Sequence, residues 1–182
     1  MSWILTYTGK RVDLLDPKPE QIDPRDIAHA LAHLCRFTGH CTRYHSVAEH
    51  SIGVMHHVPS LYRLPALLHD ATEAYLGDVS RPLKAVLPDY REIERHFEQV
   101  IRQRFGLYYS NSEPIKYADM QMLAIEREVL MPEGDDEWPC LQGINPASRL
   151  YVGLLAPKQA EAAYMHYLTE FGLLPSILGS VK

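Results

Sequence analysis

The stretch Leu67-Leu68-His69-Asp70-Ala71-Thr72-Glu73 sets a His and an Asp side by side in an apolar segment, where core residues would be expected. A buried ionised carboxylate is costly unless it is paired or binds a metal. Glu73 follows His69 by four and Asp70 by three, the spacing that returns a helical side chain to one face. A carboxylate placed beside a metal, rather than on it, orients or deprotonates a water. Two further segments carry matching chemistry: His50 in Ser46-Val47-Ala48-Glu49-His50-Ser51, and Asp119 among the apolar neighbours of Lys116-Tyr117-Ala118-Asp119. Together His50, His69, Asp70 and Asp119 make a set of two imidazoles and two carboxylates. Such a set suits one divalent transition-metal ion (Co, Mn, Zn, Fe or Ni) better than Ca, and it leaves positions for water and substrate. Taken alone, the His-Asp pair reads as a solvated helix edge.

These residues need elements to hold them. Asp23-Pro24 is a cap followed by proline at the first helical position, and predicts a helix to about Phe37. Its polar face carries His29, His33 and Arg36. Ser46 and Glu49 have capping-box spacing and start a helix through about His57. Pro65 opens a helix carrying Leu67 to Tyr75, closed near Gly77. Further helices are expected over 89–105, from Pro114 onward and from Pro157 to Phe171, and residues 3–12 suggest a short hairpin turning at Thr8-Gly9-Lys10. The expectation is an all-α fold, a single helical domain over 1–182 with a short N-terminal β-hairpin. The acidic run Glu133–Glu137 reads as an exposed loop. The apolar stretch Leu173–Leu178 could pack on its own chain or on a neighbouring subunit.

The composition narrows the function classes. Eighteen basic against 23 acidic residues give a net charge of −5 over 182 residues, which argues against general nucleic-acid binding. No apolar run reaches the roughly 18 residues of a membrane helix, and no signal peptide is expected. Cys35, Cys41 and Cys140 show no C-x-x-C spacing, so a reducing cytoplasm is the simplest compartment. Of the ten histidines, seven fall between His29 and His57. His29 and His33 have the spacing of a helical metal pair. They share the Arg36 face, so one of them could line the pocket, and ligation is not expected; His45 reads as a residue that could support a ligand from behind.

In this order the motifs resemble those of the HD-domain metal-dependent phosphohydrolases. More narrowly, they are similar to the small branch of bacterial 5'-deoxynucleotidases and phage deoxynucleoside triphosphohydrolases. The resemblance covers about residues 25–130. It rests on Arg36-Phe37, Val47-Ala48-Glu49-His50-Ser51, His69-Asp70-Ala71-Thr72-Glu73 with Leu76-Gly77-Asp78, Ser80-Arg81-Pro82-Leu83-Lys84, and Ala118-Asp119. It implies an HD-domain helical bundle with His50, His69, Asp70 and Asp119 as ligands of one metal per site. It implies Glu73 as the residue that aligns or activates water, Arg36 on the substrate phosphate, and Asp78 as a second acid near the leaving oxygen or the sugar. Lys84 and Arg81 are expected as further phosphate contacts, with His33 lining the pocket. Phe37 stands where the family often has Trp beside the sugar, which leaves sugar selectivity open.

The implied partner is a deoxynucleotide, in a homo-oligomer of the bacterial or phage-infected cytoplasm, with no membrane involved. Two reactions share these residues: phosphate release from a deoxynucleoside 5'-monophosphate, and triphosphate release from a dATP-type triphosphate. A non-enzymatic nucleotide sensor is the reading from another class.

Overall fold

The computed structural model describes residues 2–108, 112–134 and 137–175. Two short strands, β1 (Trp3–Leu5) and β2 (Arg11–Asp13), pair antiparallel with Ile4 opposite Val12. Among the described residues eight α-helices follow: α1 (Pro24–His33), α2 (Val47–His56), α3 (Arg63–Leu67), α4 (Glu73–Leu76), α5 (Arg81–Ala85), α6 (Pro88–Phe105), α7 (Glu113–Leu130) and α8 (Pro157–Glu170). The fold is all-α with a short hairpin, as the periodicity predicts. Asp135 and Asp136 of the acidic run, and Ser176, Ile177 and Leu178 of the apolar stretch, lie outside the described residues. Among the described residues no helix is long and apolar enough to cross a membrane.

Helix α2 is the centre of the packing. Val47, Ala48, Val54 and Met55 on it are fully buried, and it lies against α1, α3, α7 and α8. The α2–α7 approach is close: a Cβ on Gly53 would come within 2.5 Å of Met122 Cε. Buried Ile115, Ala118, Met122 and Ile125 form the inner stripe of α7, and Ala160, Tyr164 and Leu168 that of α8. Removing a buried Leu such as Leu31 or Leu168 would cost about 2–5 kcal/mol, because the cavity collapses only in part.

Two local departures from the helical reading shape the site. Helix α1 ends at His33 rather than near Phe37. Cys35 then bridges Ser46, with Arg36 N donating to the His45 carbonyl at 2.9 Å and Val47 N to the Leu34 carbonyl at 3.1 Å. The chain reverses at Phe37 and Thr38, both at positive φ (54° and 56°). Arg36 therefore leaves the α1 face that carries His29 and His33, and comes to lie beside His45 instead.

The second departure separates α3 from α4. A continuous helix would give the Ala66 carbonyl to the Asp70 amide. Here His69 Nδ1 donates to it at 2.8 Å. The Leu67 carbonyl accepts from the Tyr164 hydroxyl at 2.6 Å. The backbone between continues in tight turns, Ala71 N to the Leu68 carbonyl and Glu73 N to the Asp70 carbonyl. The His-Asp pair thus sits at a break between two short helices, not on one helical face.

Candidate metal centre

Three separate segments converge on one point. The first is α2. Its cap forms as expected, Ser46 Oγ accepting from Glu49 N at 3.1 Å. The reciprocal half of the capping box is missing, because Glu49 Oε2 accepts instead from Leu155 N at 3.1 Å. The first turn of α2 carries His50, whose side chain is fully buried. The α3–α4 break supplies His69 and Asp70, and α7 supplies Asp119.

His50, His69 and Asp119 offer ligand atoms that all lie within 4.8 Å of one another, a group that could hold a metal ion. His50 Nε2 is 3.1 Å from Asp119 Oδ1 and 3.7 Å from Asp70 Oδ2, and His69 Nε2 is 3.1 Å from Asp70 Oδ2. An ion with bonds of about 2.0–2.2 Å spaces its ligands about 3.0–3.5 Å apart, so the two 3.1 Å separations are those of neighbouring ligands and the 3.7 Å one is slightly longer.

The hydrogen bonds behind the imidazoles fit the same use. His50 Nδ1 lies 2.7 Å from Glu126 Oε1, and His69 Nδ1 donates to the Ala66 carbonyl. With the proton held on Nδ1, each Nε2 presents its lone pair to the centre. Both Nε2 atoms are buried without a hydrogen-bond partner. Two orphaned ring nitrogens beside two carboxylates are the donor set a divalent transition metal takes. The Asp70 and Asp119 side chains keep 20% and 27% of their exposure, so the centre opens to solvent on the carboxylate side.

Without a cation, the charges regulate one another. Burial lowers the His69 pKa, but Asp70 outweighs it and the group is pushed up to about 9. Burial works against the Asp70 and Asp119 carboxylates, yet His69, His50 and Arg36 hold Asp70 well below the usual range, and His50 lowers Asp119. A bound cation would take over the role of that His69 proton.

Glu126 escaped the sequence reading. It is fully buried on α7 and collects three cationic partners or donors. Arg36 reaches Oε2 through Nε at 3.0 Å and Nη2 at 2.9 Å, while His50 Nδ1 and His45 Nε2 reach Oε1 at 2.7 and 3.1 Å. Despite its burial, these neighbours hold its carboxyl well below the ordinary range. His45 also lies 3.5 Å from Glu49 Oε2. The signal that could have found Glu126 is its place seven residues after Asp119, on the same helical face.

The remaining expected residues divide. Arg36 faces the centre, with Nη1 4.0 Å from Asp70 Oδ2. Glu73 is buried, its Oε2 without a partner and its Oε1 3.7 Å from Lys84 Nζ. Burial, then Asp70 and Asp78, push its carboxyl well above the ordinary value. Asp78 is half-buried, and burial raises it too, with Arg36 and Asp70 among its charged neighbours. Lys84 is not free: its Nζ lies 2.5 Å from Glu94 Oε1.

Phe37 packs under the Arg36 guanidinium at 5.4 Å and edges toward Trp138 at 5.9 Å. Arg81 is exposed and rests on Met120 Sδ at 3.7 Å, beside Asp119 in sequence but outside the ligand cluster. His33 does not line this centre. It bonds the His29 carbonyl and lies tilted against the His29 ring, while Arg36 has left that face because α1 ends before it.

The chain aligns along almost all of its length with the uncharacterized protein YfdR of Escherichia coli strain K12. The two are 40% identical over 174 residues, 96% of this chain and 98% of that one. The chain belongs to the YfdR family. A second relative, an uncharacterized protein of Rhodobacter capsulatus, is 40% identical to it over 127 residues, 64% of this chain and 65% of that one. No protein-family model matches the chain.

Proposed function

We propose that this YfdR relative is a metal-dependent phosphohydrolase that releases phosphate from deoxynucleoside 5'-monophosphates. One observation carries the reading: two buried imidazoles spend Nδ1 on acceptors and turn unpaired Nε2 atoms toward Asp119 and Asp70. The ordered resemblance to HD-domain phosphohydrolases supports it. A divalent ion held by His50, His69, Asp70 and Asp119 supplies Lewis-acid polarisation of a phosphoryl oxygen and a lowered water pKa.

The chain's own residues do the rest. Arg36 is pinned through Nε and Nη2 to Glu126, so Nη1 is aimed and ready to bind a phosphate oxygen without an entropic search. Glu73 Oε2, buried and unpaired, accepts the proton of the attacking water. Burial and the neighbouring Asp70 and Asp78 raise its carboxyl, which makes it the stronger proton acceptor. Asp78, also raised, donates a proton to the leaving nucleoside oxygen. Arg36 Nη1, 4.0 Å from Asp70 Oδ2, meets a single phosphate group at the edge of the ligand cluster. By the same resemblance the enzyme is a cytoplasmic homo-oligomer.

The test is product analysis. Metal-free protein is restored with Mn or Co and given each deoxynucleotide as mono-, di- and triphosphate, and products are separated by chromatography. Inorganic phosphate and nucleoside from monophosphates support the proposal. Triphosphate plus nucleoside would replace it with the triphosphohydrolase. No product from any substrate, with metal bound, would overturn both and favour a nucleotide sensor.

A further inference from the structure

A second group of ligating side chains lies where α1 packs on α8. His29 and His33, one helical turn apart on α1, and Glu161 on α8 offer ligand atoms that all lie within 4.8 Å of one another. His29 Nδ1 is 3.2 Å from Glu161 Oε2, again the edge length between neighbouring ligands of a small divalent ion. His33 Nδ1 is 2.7 Å from the His29 carbonyl. A carbonyl only accepts, so the His33 proton sits on Nδ1 and Nε2 keeps its lone pair for a cation.

The cluster is held in place from outside. Tyr7 stacks on the His29 ring at 3.7 Å with 6° between the planes. Tyr7 in turn is fixed by the hairpin turn, where Thr8 donates to Asp26 through its amide at 2.7 Å and its hydroxyl at 2.9 Å. Asp26 lies almost one turn before His29 on α1, so the hairpin docks against the helix beside the imidazole pair. The His29 and Glu161 side chains retain 29% and 22% of their exposure, and His33 is exposed, so an ion can enter from solvent without a conformational change.

We propose that His29, His33 and Glu161 form a second divalent-cation site, of the zinc, nickel or copper class, that clamps α1 to α8. Two imidazoles and one carboxylate select a borderline transition metal over Ca or Mg. Because the ligands come from two helices that pack on each other, binding stabilises their docking by mass action. The site is separate from the His50 centre and does not depend on the function proposed for it.

The experiment counts zinc on tag-free, full-length protein after equilibration with zinc and removal of free metal. Wild type is expected to carry two ions per chain, and His33→Ala and Asp119→Ala one each. In Asp119→Ala, where only the second site remains intact, zinc should raise the melting temperature by several degrees. Adding Glu161→Gln to that variant should remove both the ion and the shift. His33→Ala binding as much zinc as wild type, or Asp119→Ala binding none, would overturn the proposal. If wild type carries a single ion that survives Asp119→Ala and is lost in His33→Ala, the second site stands and the His50 centre falls.

Discussion

Glu126 Oε1 stands 2.7 Å from His50 Nδ1 while Glu126 Oε2 takes two guanidinium nitrogens of Arg36, so one fully buried carboxylate orients both an imidazole of the candidate metal centre and the guanidinium beside it. The distances to the candidate ligands describe what the centre can hold. This relationship describes what keeps it rigid.

Removing the Glu126 charge should therefore be felt twice. Glu126→Ala leaves Arg36 and His45 buried without their counter-ion, a loss of about 3–5 kcal/mol. Glu126→Gln keeps the shape but weakens the acceptor behind His50, and should reduce metal affinity about 10- to 100-fold. Denaturant unfolding reads the first and metal titration the second. Unchanged affinity in Glu126→Gln would mean that the His50 tautomer is set by something else.

Metal binding and proton transfer should separate between Asp119 and Glu73. Asp119→Ala is expected to lose bound metal at the centre together with activity. Glu73→Gln should keep full metal content and lose about 100- to 10,000-fold in the rate of phosphate release. Elemental analysis beside the phosphate assay makes the distinction. A Glu73→Gln protein that loses metal would make Glu73 a ligand rather than a base.

His45 makes stability depend on alkaline pH. Burial lowers its pKa, but Glu126 and Glu49 overcome that and raise it to about 9, above the unfolded value of about 6.5. A raised histidine contributes its full stabilisation below the unfolded pKa and loses it as pH rises through the folded one. The unfolding midpoint of the wild type should fall between about pH 7 and pH 10, and His45→Gln should be lower at pH 7 with a smaller fall. Parallel profiles for the two proteins would assign the pH dependence to other groups.

The corner at Thr38 should be open to improvement. Its φ of 56° lies in the left-handed region, costly for a β-branched residue, and its side chain is exposed. Thr38→Gly removes about 1–2 kcal/mol of local strain and loses some of that to the freer unfolded chain. A net gain of about 0.5–1 kcal/mol should appear as a higher denaturant midpoint. A loss would mean that the Thr38 side chain stabilises the corner.

The sequence was most informative where local chemistry decides local structure. Asp23 accepts from the Arg25 amide and Ser46 from the Glu49 amide, so the starts of α1 and α2 follow from the cap residues alone. The ligand candidates His50, His69 and Asp119 stood out because polar groups in apolar segments must be satisfied by something. The end of α1 and the break after α3 were not legible in the same way. Both depend on partners brought from elsewhere: the His45 carbonyl and the Val47 amide bond the segment after His33, and the Tyr164 hydroxyl takes the carbonyl that ends α3. Glu126 was hidden for a related reason. A glutamate in an amphipathic helix looks like surface charge until Arg36, His45 and His50 are known to lie against it.

The Arg36–Glu126 contact joins residues 90 positions apart. Closing so long a loop costs chain entropy before any contact repays it, so such pairings form late in folding. The centre is complete only when α2, the α3–α4 break and α7 are packed together. An ion held at the centre would therefore report on the packing of all these elements, and its loss is a readout by which a core substitution far from His50 can be followed.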